Sequence, residues 1–351
     1  MSQGEQVTVD KLKFLQVLNV VKVAIAQNDN MEGSENFTFR DAIVFAGNDK
    51  TAISAPLNTH FPLDVTVNAE QLIETCKKTK TKNIKMAVKD NGLWMKAGNS
   101  QFCINGEQAS IGEDFTALSL DSFIRLPTTF PDAINICATS CHPEEAALSM
   151  IRIMGRYAYS TDKKRISRYD MGDGADAIFP EQIFINPVAK EFISKHSPHS
   201  YHTTPGWIHF VTENGVIYSI RTMSTRYPDI LYLLNPLENT EVLRWPVNIN
   251  EILGRAILYA EGRTNDEKTV VVQLLETGAM YFRAANQKKG RFVERADVTP
   301  VSREYNFTIG IAMLESVVES IEEFTANETM VRMTSPNYTN VTMLAKAKSN
   351  D

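Results

Sequence analysis

Cysteine is scarce: four residues in 351, at positions 76, 103, 137 and 141, with no paired spacing that would staple a small domain. A disulfide-built fold is therefore not expected, and the four are read as reduced thiols. No apolar run approaches the roughly 18 residues of a membrane span, and the opening Met1-Ser2-Gln3-Gly4-Glu5-Gln6 lacks the basic and apolar regions of a signal peptide. A cytoplasmic location, away from membranes, is the expectation. Without secretion, Asn-x-Thr triplets such as Asn36-Phe37-Thr38 carry no glycosylation meaning.

Catalytic signatures are missing too. The histidines at 60, 142, 196, 199, 202 and 209 form no HExxH pair, no glycine-rich phosphate loop occurs, and no serine is framed as a nucleophile elbow. Cys137, Cys141 and His142 offer metal-ligand chemistry without a fourth group nearby, so structural cysteine is the better reading. The carboxylates of Asp170, Asp173 and Asp176 recur every three residues, which does not fit a calcium loop and predicts a polar loop. The run from His196 to His202 is read as a helix-to-strand loop. No catalytic residue, metal or cofactor is expected. The net charge of −6 argues against a protein that coats nucleic acid over its whole surface, but leaves room for a local basic face.

What the chain has is material and repetition. With 351 residues, 43% apolar and 22% charged, it can fill two or three cores. Val65-Thr66-Val67, Ile183-Phe184-Ile185 and Phe307-Thr308-Ile309 are each followed by a short amphipathic helix and then by apolar-alternating strands around a turn, at Asp90-Asn91-Gly92, Glu213-Asn214-Gly215 and Ser335-Pro336-Asn337. The copies begin 118 and 124 residues apart, the size of a small domain and far longer than a solenoid repeat. A second series, Val7-Thr8-Val9, Ile124-Arg125-Leu126 and Trp245-Pro246-Val247, also precedes helical stretches, its last residues 117 and 121 apart. The pattern predicts an α+β fold of three similar domains, at 1–120, 121–238 and 239–351, each holding two strand-helix-strand units.

Helical periodicity assigns the faces. In a helix from Lys11 to Ala26, Phe14, Leu15, Leu18, Val21 and Ile25 share one side and Lys13 faces away. From Asn68 to Lys80 the buried stripe is Ala69, Leu72, Ile73 and Cys76, with Lys77 and Lys78 outside. From Pro187 to His196 it is Val188, Ala189, Phe192 and Ile193, with Lys190 and Lys195 outside. From Asn250 to Ala260 it is Ile252, Leu253, Ala256 and Ile257, with Arg255 outside. Were these helices to face one space, Lys13, Lys77, Lys78, Lys190, Lys195 and Arg255 would line it with positive charge, suited to phosphates without reading bases. A last helix, Ile311 to Phe324, opposes this with Glu315, Glu319 and Glu322 on its outer face.

Several segments resemble one family. Tyr159-Ser160-Thr161-Asp162-Lys163-Lys164-Arg165-Ile166 is similar to an Ala-Thr-Asp-Gly-His-Arg-Leu segment, Thr222 to Ile230 to Asp-Gly-Arg-Phe-Pro-Asp-Tyr, and Leu233-Leu234-Asn235-Pro236 to the Val-Leu-Pro that follows it. Met95 to Phe102 resembles Val-Arg-Ser-Gly-Arg-Ser-Arg-Phe, and Glu113-Asp114-Phe115 resembles Ala-Asp-Phe. All belong to the bacterial replicative sliding clamp, the beta subunit of DNA polymerase III, and the resemblance spans nearly the whole chain. It implies a head-to-tail homodimer of six domains, helices on the inner face around duplex DNA and antiparallel sheets outside. The implied partners are double-stranded DNA, a DNA polymerase and a clamp loader, and the implied role is a processivity factor. It also implies a client-peptide pocket at Thr161, Lys163, Lys164, Arg165, Ile166, Leu234, Pro236, Met343 and Leu344. Two departures fall there. Lys163-Lys164 replace Gly-His, and Thr342-Met343-Leu344-Ala345-Lys346 replaces a Met-Pro-Met-Arg-Leu finish. They fit a divergent member, a phage-encoded chain acting in its host's cytoplasm among the options. Rival readings are a structural or adaptor scaffold, and a DNA-acting enzyme using Asp170, Asp173 and Asp176.

Overall fold

The computed structural model describes residues 6–25, 33–57, 63–109, 115, 118–223 and 226–345. Six strand-to-helix steps form: Gln6–Asp10 into Lys11–Val21, Val65–Asn68 into Ala69–Lys78, Ile124–Arg125 into Phe130–Cys137, Ile183–Ile185 into Ala189–His196, Leu243–Arg244 into Ile249–Tyr259, and Tyr305–Gly310 into Ile311–Val318; in the fifth the strand lies just before the expected Trp245-Pro246-Val247, where Pro246 cannot donate to a ladder. Local chemistry starts the first two helices. The Asp10 carboxylate accepts the N–H groups of Leu12 and Lys13 at 3.0 and 3.1 Å, and the Asn68 side chain accepts that of Gln71 at 2.9 Å. The expected turn at Asp90-Asn91 is left-handed at both residues (φ 49° and 57°), as a two-residue hairpin requires.

Burial follows the periodicity closely but not everywhere. Ala69, Leu72, Ile73 and Cys76 are all buried, as are Phe14, Leu18 and Val21. The first helix stops at Val21 and tightens into a 3-10 turn over Lys22–Ala24; Ala26 lies outside the described residues. Val188, expected inside, is 55% exposed, because its helix begins only at Ala189. Ile257 is only half-buried. The last helix ends at Val318 rather than Phe324, and Phe324 is buried in the strand Glu323–Ala326. Ile321 and Phe324 have a spacing that suits a helix, whereas Phe324 and Ala326 alternate as a strand, and short apolar runs satisfy both periods.

The chain forms two compact units, Met1–Thr128 with Glu191–Ser224, and Thr129–Lys190 with Thr225–Asp351. The middle repeat is thus shared out between them. In the first unit a twelve-stranded sheet runs in the order Gln6–Asp10, Asn83–Lys89, Gly92–Ala97, Ser100–Glu107, Val65–Asn68, Asn36–Arg40, Ile43–Gly47, Thr51–Pro56, Ile217–Arg221, Trp207–Val211, Ser200–Thr204, Ile124–Arg125. In the second an eight-stranded sheet runs Ile183–Ile185, Ile151–Met154, Tyr157–Thr161, Arg165–Asp170, Tyr338–Met343, Met330–Thr334, Glu323–Ala326, Leu243–Arg244. A separate four-stranded sheet holds Gly290–Asp297, Ala279–Asn286, Thr269–Leu274 and Tyr305–Gly310. All these pairings are antiparallel.

Two ladders join one repeat to the next. Thr51–Pro56 pairs with Ile217–Arg221 from Ile217↔Ser54 to Ile220↔Thr51, and Arg165–Asp170 pairs with Tyr338–Met343 from Arg165↔Thr342 to Tyr169↔Tyr338. Among the described residues no helix is long and apolar enough to cross a membrane.

Candidate functional site

In the second unit a cleft of about 590 Å³ opens beside the hairpin Tyr157–Thr161/Arg165–Asp170. The hairpin turn is built by Asp162, whose Oδ1 accepts the N–H groups of Lys164 and Arg165 at 3.0 and 2.9 Å. Lys163 takes φ +74°, the left-handed conformation glycine adopts most readily, at the position where the similar family segment has glycine.

Arg165 ties this turn to its surroundings. Its guanidinium donates to Asp162 Oδ2 at 3.0 Å, to Ser316 Oγ at 2.8 Å, and to the Thr139 carbonyl. The Met343 N–H donates to the Lys164 carbonyl at 2.8 Å, which carries the sheet up to the cleft mouth. Beneath lies a packed cluster of Met150, Tyr159, Ile166, Phe184, Tyr227, Ile230, Leu234 and Val341. Tyr227 packs against Phe184 at 6.2 Å between centroids, lies under the Arg152 guanidinium at 5.6 Å, and has its phenol pKa raised by burial.

Thr161, Lys163, Lys164, Arg165, Ile166 and Met343 line the cleft. Leu234 sits in the cluster under its floor, and its neighbour Leu233 reaches the surface instead. Pro236 is exposed and Leu344 half-buried, and neither is part of the lining. The lining also includes Leu148, Tyr227, Ile230, Met330 and Val341, which the sequence pattern did not single out. Tyr227 and Ile230 belong to the Thr222-to-Ile230 segment and could have been found there. Leu148 and Met330 carry no local signal. At the rim, Lys163 pairs with Glu145, whose own N–H donates to His142 Nδ1 at 2.9 Å. Among the described residues the Lys164 ammonium has no carboxylate partner, so the uncompensated rim charge rests on Lys164 and Arg226 against Asp229.

Solved structures of bacterial clamps superpose on nearly all of this chain. The DNA polymerase III subunit beta of Pseudomonas aeruginosa matches with a TM-score of 0.81 at 13% identity, covering 98% of this chain and 100% of its own. The beta subunit of Streptococcus pyogenes gives 0.82 at 15%, covering 98% and 100%, and the Bacillus subtilis sliding clamp 0.82 at 14%, covering 99% and 100%. The chain has the sliding-clamp fold. No protein-family model and no curated protein matches the sequence.

In this clamp fold the six basic residues expected at DNA are all exposed, but not equally available. Lys13 and the pair Lys77 and Lys78 stand on two helices packed side by side, Lys11–Val21 and Ala69–Lys78. Lys77 reaches Glu74 at 3.0 Å, an exposed pairing that binds it weakly. Lys190 and Lys195 lie on the helix Ala189–His196. Arg255 is engaged differently: its fork donates to both oxygens of Glu294 at 2.9 and 2.7 Å, with Glu251 at 3.7 Å. A phosphate would have to displace that bidentate pair. Glu315 is half-buried, and burial holds its carboxyl above the usual range.

The groups that suggested metal chemistry have other work. Asp170 grips Arg156 through both oxygens at 2.7 and 2.8 Å, Asp173 accepts from the same guanidinium at 2.7 Å, and Asp176 accepts the Arg156 N–H at 3.0 Å. The guanidinium is held between Asp170 and Asp173, while Asp176 is turned to the backbone. The bonds to Arg156 and to the Gly172 N–H outweigh burial and hold Asp170 below the ordinary carboxylate range. Burial pushes the thiols of Cys76 and Cys141 up to about 12, so neither is a thiolate at neutral pH. His142 Nδ1 accepts the N–H groups of Glu144 and Glu145 as a turn cap.

Proposed function

We propose that the chain is a sliding clamp that encircles duplex DNA and tethers a replicative DNA polymerase, loaded by a clamp loader and closed as a head-to-tail homodimer. One observation carries this reading beyond the shared fold. Each repeat passes its fourth strand to the last strand of the next repeat: Thr51–Pro56 to Ile217–Arg221, then Arg165–Asp170 to Tyr338–Met343. The same rule leaves two strands unused. Gly290–Asp297 ends the four-stranded sheet with one neighbour, and Ser100–Glu107 meets Val65–Asn68 only through Glu107 and Gly106, leaving its free side bare from Ser100 to Asn105 among the described residues.

An open edge invites pairing. Here the two open edges are complementary by position, so a second copy supplies what each lacks, and a heterologous contact of this kind closes into a ring when its rotation allows. Three repeats, at about 1–120, 121–238 and 239–351, give six from two chains. Such a protein performs no chemistry, works in the cytoplasm, and needs only weak, sequence-independent phosphate contact. The cleft of the second unit is its client site, taking short peptides with an apolar anchor. Lys164 and Arg226 favour acidic residues beside that anchor, while Lys163, already paired with Glu145, adds little.

The test is dependence on DNA topology. After loading, the protein is expected to stay on closed circular duplex and to run off once the circle is cut, with a solution mass of two chains by light scattering. Equal retention on circular and linear DNA would instead support the adaptor reading.

The basic helices give a second expectation. Lys77→Glu/Lys78→Glu should weaken duplex association and lower the log-log salt slope by roughly 0.9 for each phosphate that is no longer neutralised. An unchanged slope would place these lysines away from DNA.

A further inference from the structure

One exposed sheet face of the first unit carries a basic surface that the clamp reading does not use. Ladder register places its side chains in rows across neighbouring strands. One row runs Thr8, Lys85, Lys96, Gln101, and the next runs Gln6, Ala87, Trp94, Cys103. Lys89 stands beyond, opposite Gly92. Rows on one face lie about 7 Å apart and strands about 4.8 Å apart, so three ammonium groups surround one indole.

Two features set this patch apart from ordinary solubilising charge. Lys85 and Lys96 are directly opposed across the ladder, a repulsive placement, and among the described residues no carboxylate pairs with Lys85, Lys89 or Lys96. The carboxylate at the end of the first strand, Asp10, is committed to its helix cap. Trp94 is the second feature. Trp207 and Trp245 are 4% and 6% exposed, whereas Trp94 is only half-buried, in a recess of about 220 Å³ kept open by Ala87. Its Nε1–H is buried without a hydrogen-bond partner among the described residues. The recess is lined by three lysines, two glutamines and no acid.

We propose that this face binds single-stranded nucleic acid. Phosphates lie along Lys85, Lys96 and Lys89, a base stacks on Trp94, and the amides of Gln6 and Gln101 reach base edges. A flat aromatic among cations on a sheet is a stacking platform with an electrostatic track, and it tolerates any base because every base has a π-face. Acidic peptides share the charge but not the base, which makes Trp94 the discriminating residue.

The full-length protein is titrated into fluorescein-labelled dT12 and rU12, reading anisotropy and tryptophan emission. Binding of either oligomer with quenched emission is expected, and the tighter of the two names the source. Lys85→Glu/Lys96→Glu should weaken binding at least tenfold and lower the salt slope by roughly 1.4, at about 0.7 per single-strand phosphate. Trp94→Ala should weaken it roughly five- to hundredfold, and Trp94→Phe, which keeps a stacking ring, should retain most of the affinity. Lys77→Glu/Lys78→Glu should leave it unchanged, which separates this surface from the proposed duplex contacts. Wild-type affinity in Trp94→Ala, or competition by polyglutamate or a hairpin duplex as strong as by unlabelled oligonucleotide, would overturn the proposal.

Discussion

Gln101→Pro is expected to split the proposed dimer into monomers, while Gln101→Ala leaves it intact. Gly98 and Asn99 form a two-residue loop between Ala97 and Ser100, with φ +60° at Gly98. In such a hairpin the closing pair is hydrogen-bonded and the bonds alternate along the ladder. The Gln101 N–H therefore points to the free side, where the other copy's strand is proposed to dock. Proline removes that donor without removing an internal ladder bond. Each seam then strands a carbonyl at about 1–3 kcal/mol, and a ring with two seams suffers it twice. Alanine trims the side chain and keeps the N–H. Sedimentation across a dilution series reads the difference; equal dissociation constants for the two variants would exclude Ser100–Glu107 from the interface.

The second large effect concerns Arg165. Its side chain and that of Asp162 are each only 14% exposed, and its donors reach Asp162, Ser316 and Thr139. Arg165→Met keeps the length and removes every donor, leaving a mostly buried carboxylate short of its partner. A loss of about 3 kcal/mol in urea unfolding is expected. Adding Asp162→Asn should recover part of it, because the stranded charge is then gone; strict additivity of the two changes would show that they are not coupled. The same variant should loosen the cleft. Ile166→Ala, which truncates a floor residue, provides the comparison, with an expected loss of roughly 1–2 kcal/mol in affinity for an apolar-anchored peptide.

Much of this architecture is written locally, and the rest is not. The six strand-helix steps follow from short runs and caps such as Asp10 and Asn68, and a stripe like Ala69, Leu72, Ile73 and Cys76 needs only the helical period. Resemblance pointed to the Tyr159-to-Ile166 segment as part of the pocket. What could not be read was partnership over distance. Glu145 neutralises Lys163, Glu294 engages Arg255 from 39 residues away, and Arg156 gathers Asp170, Asp173 and Asp176. In each case a charge that looked available is answered by a residue that only the fold brings near. The cleft divides the same way: Ile166 was legible in its strand, whereas Leu148 and Met330 arrive through separate elements.

The two inter-repeat ladders lie within one polypeptide, and that has a kinetic meaning. Each is an intramolecular encounter whose effective concentration is set by the chain between the two strands, whatever the amount of protein in solution. The bare edges at Gly290–Asp297 and Ser100–Asn105 have no tether. In the proposed dimer, dilution therefore acts on that contact alone, which would make it the single kind of reversible gate in the ring.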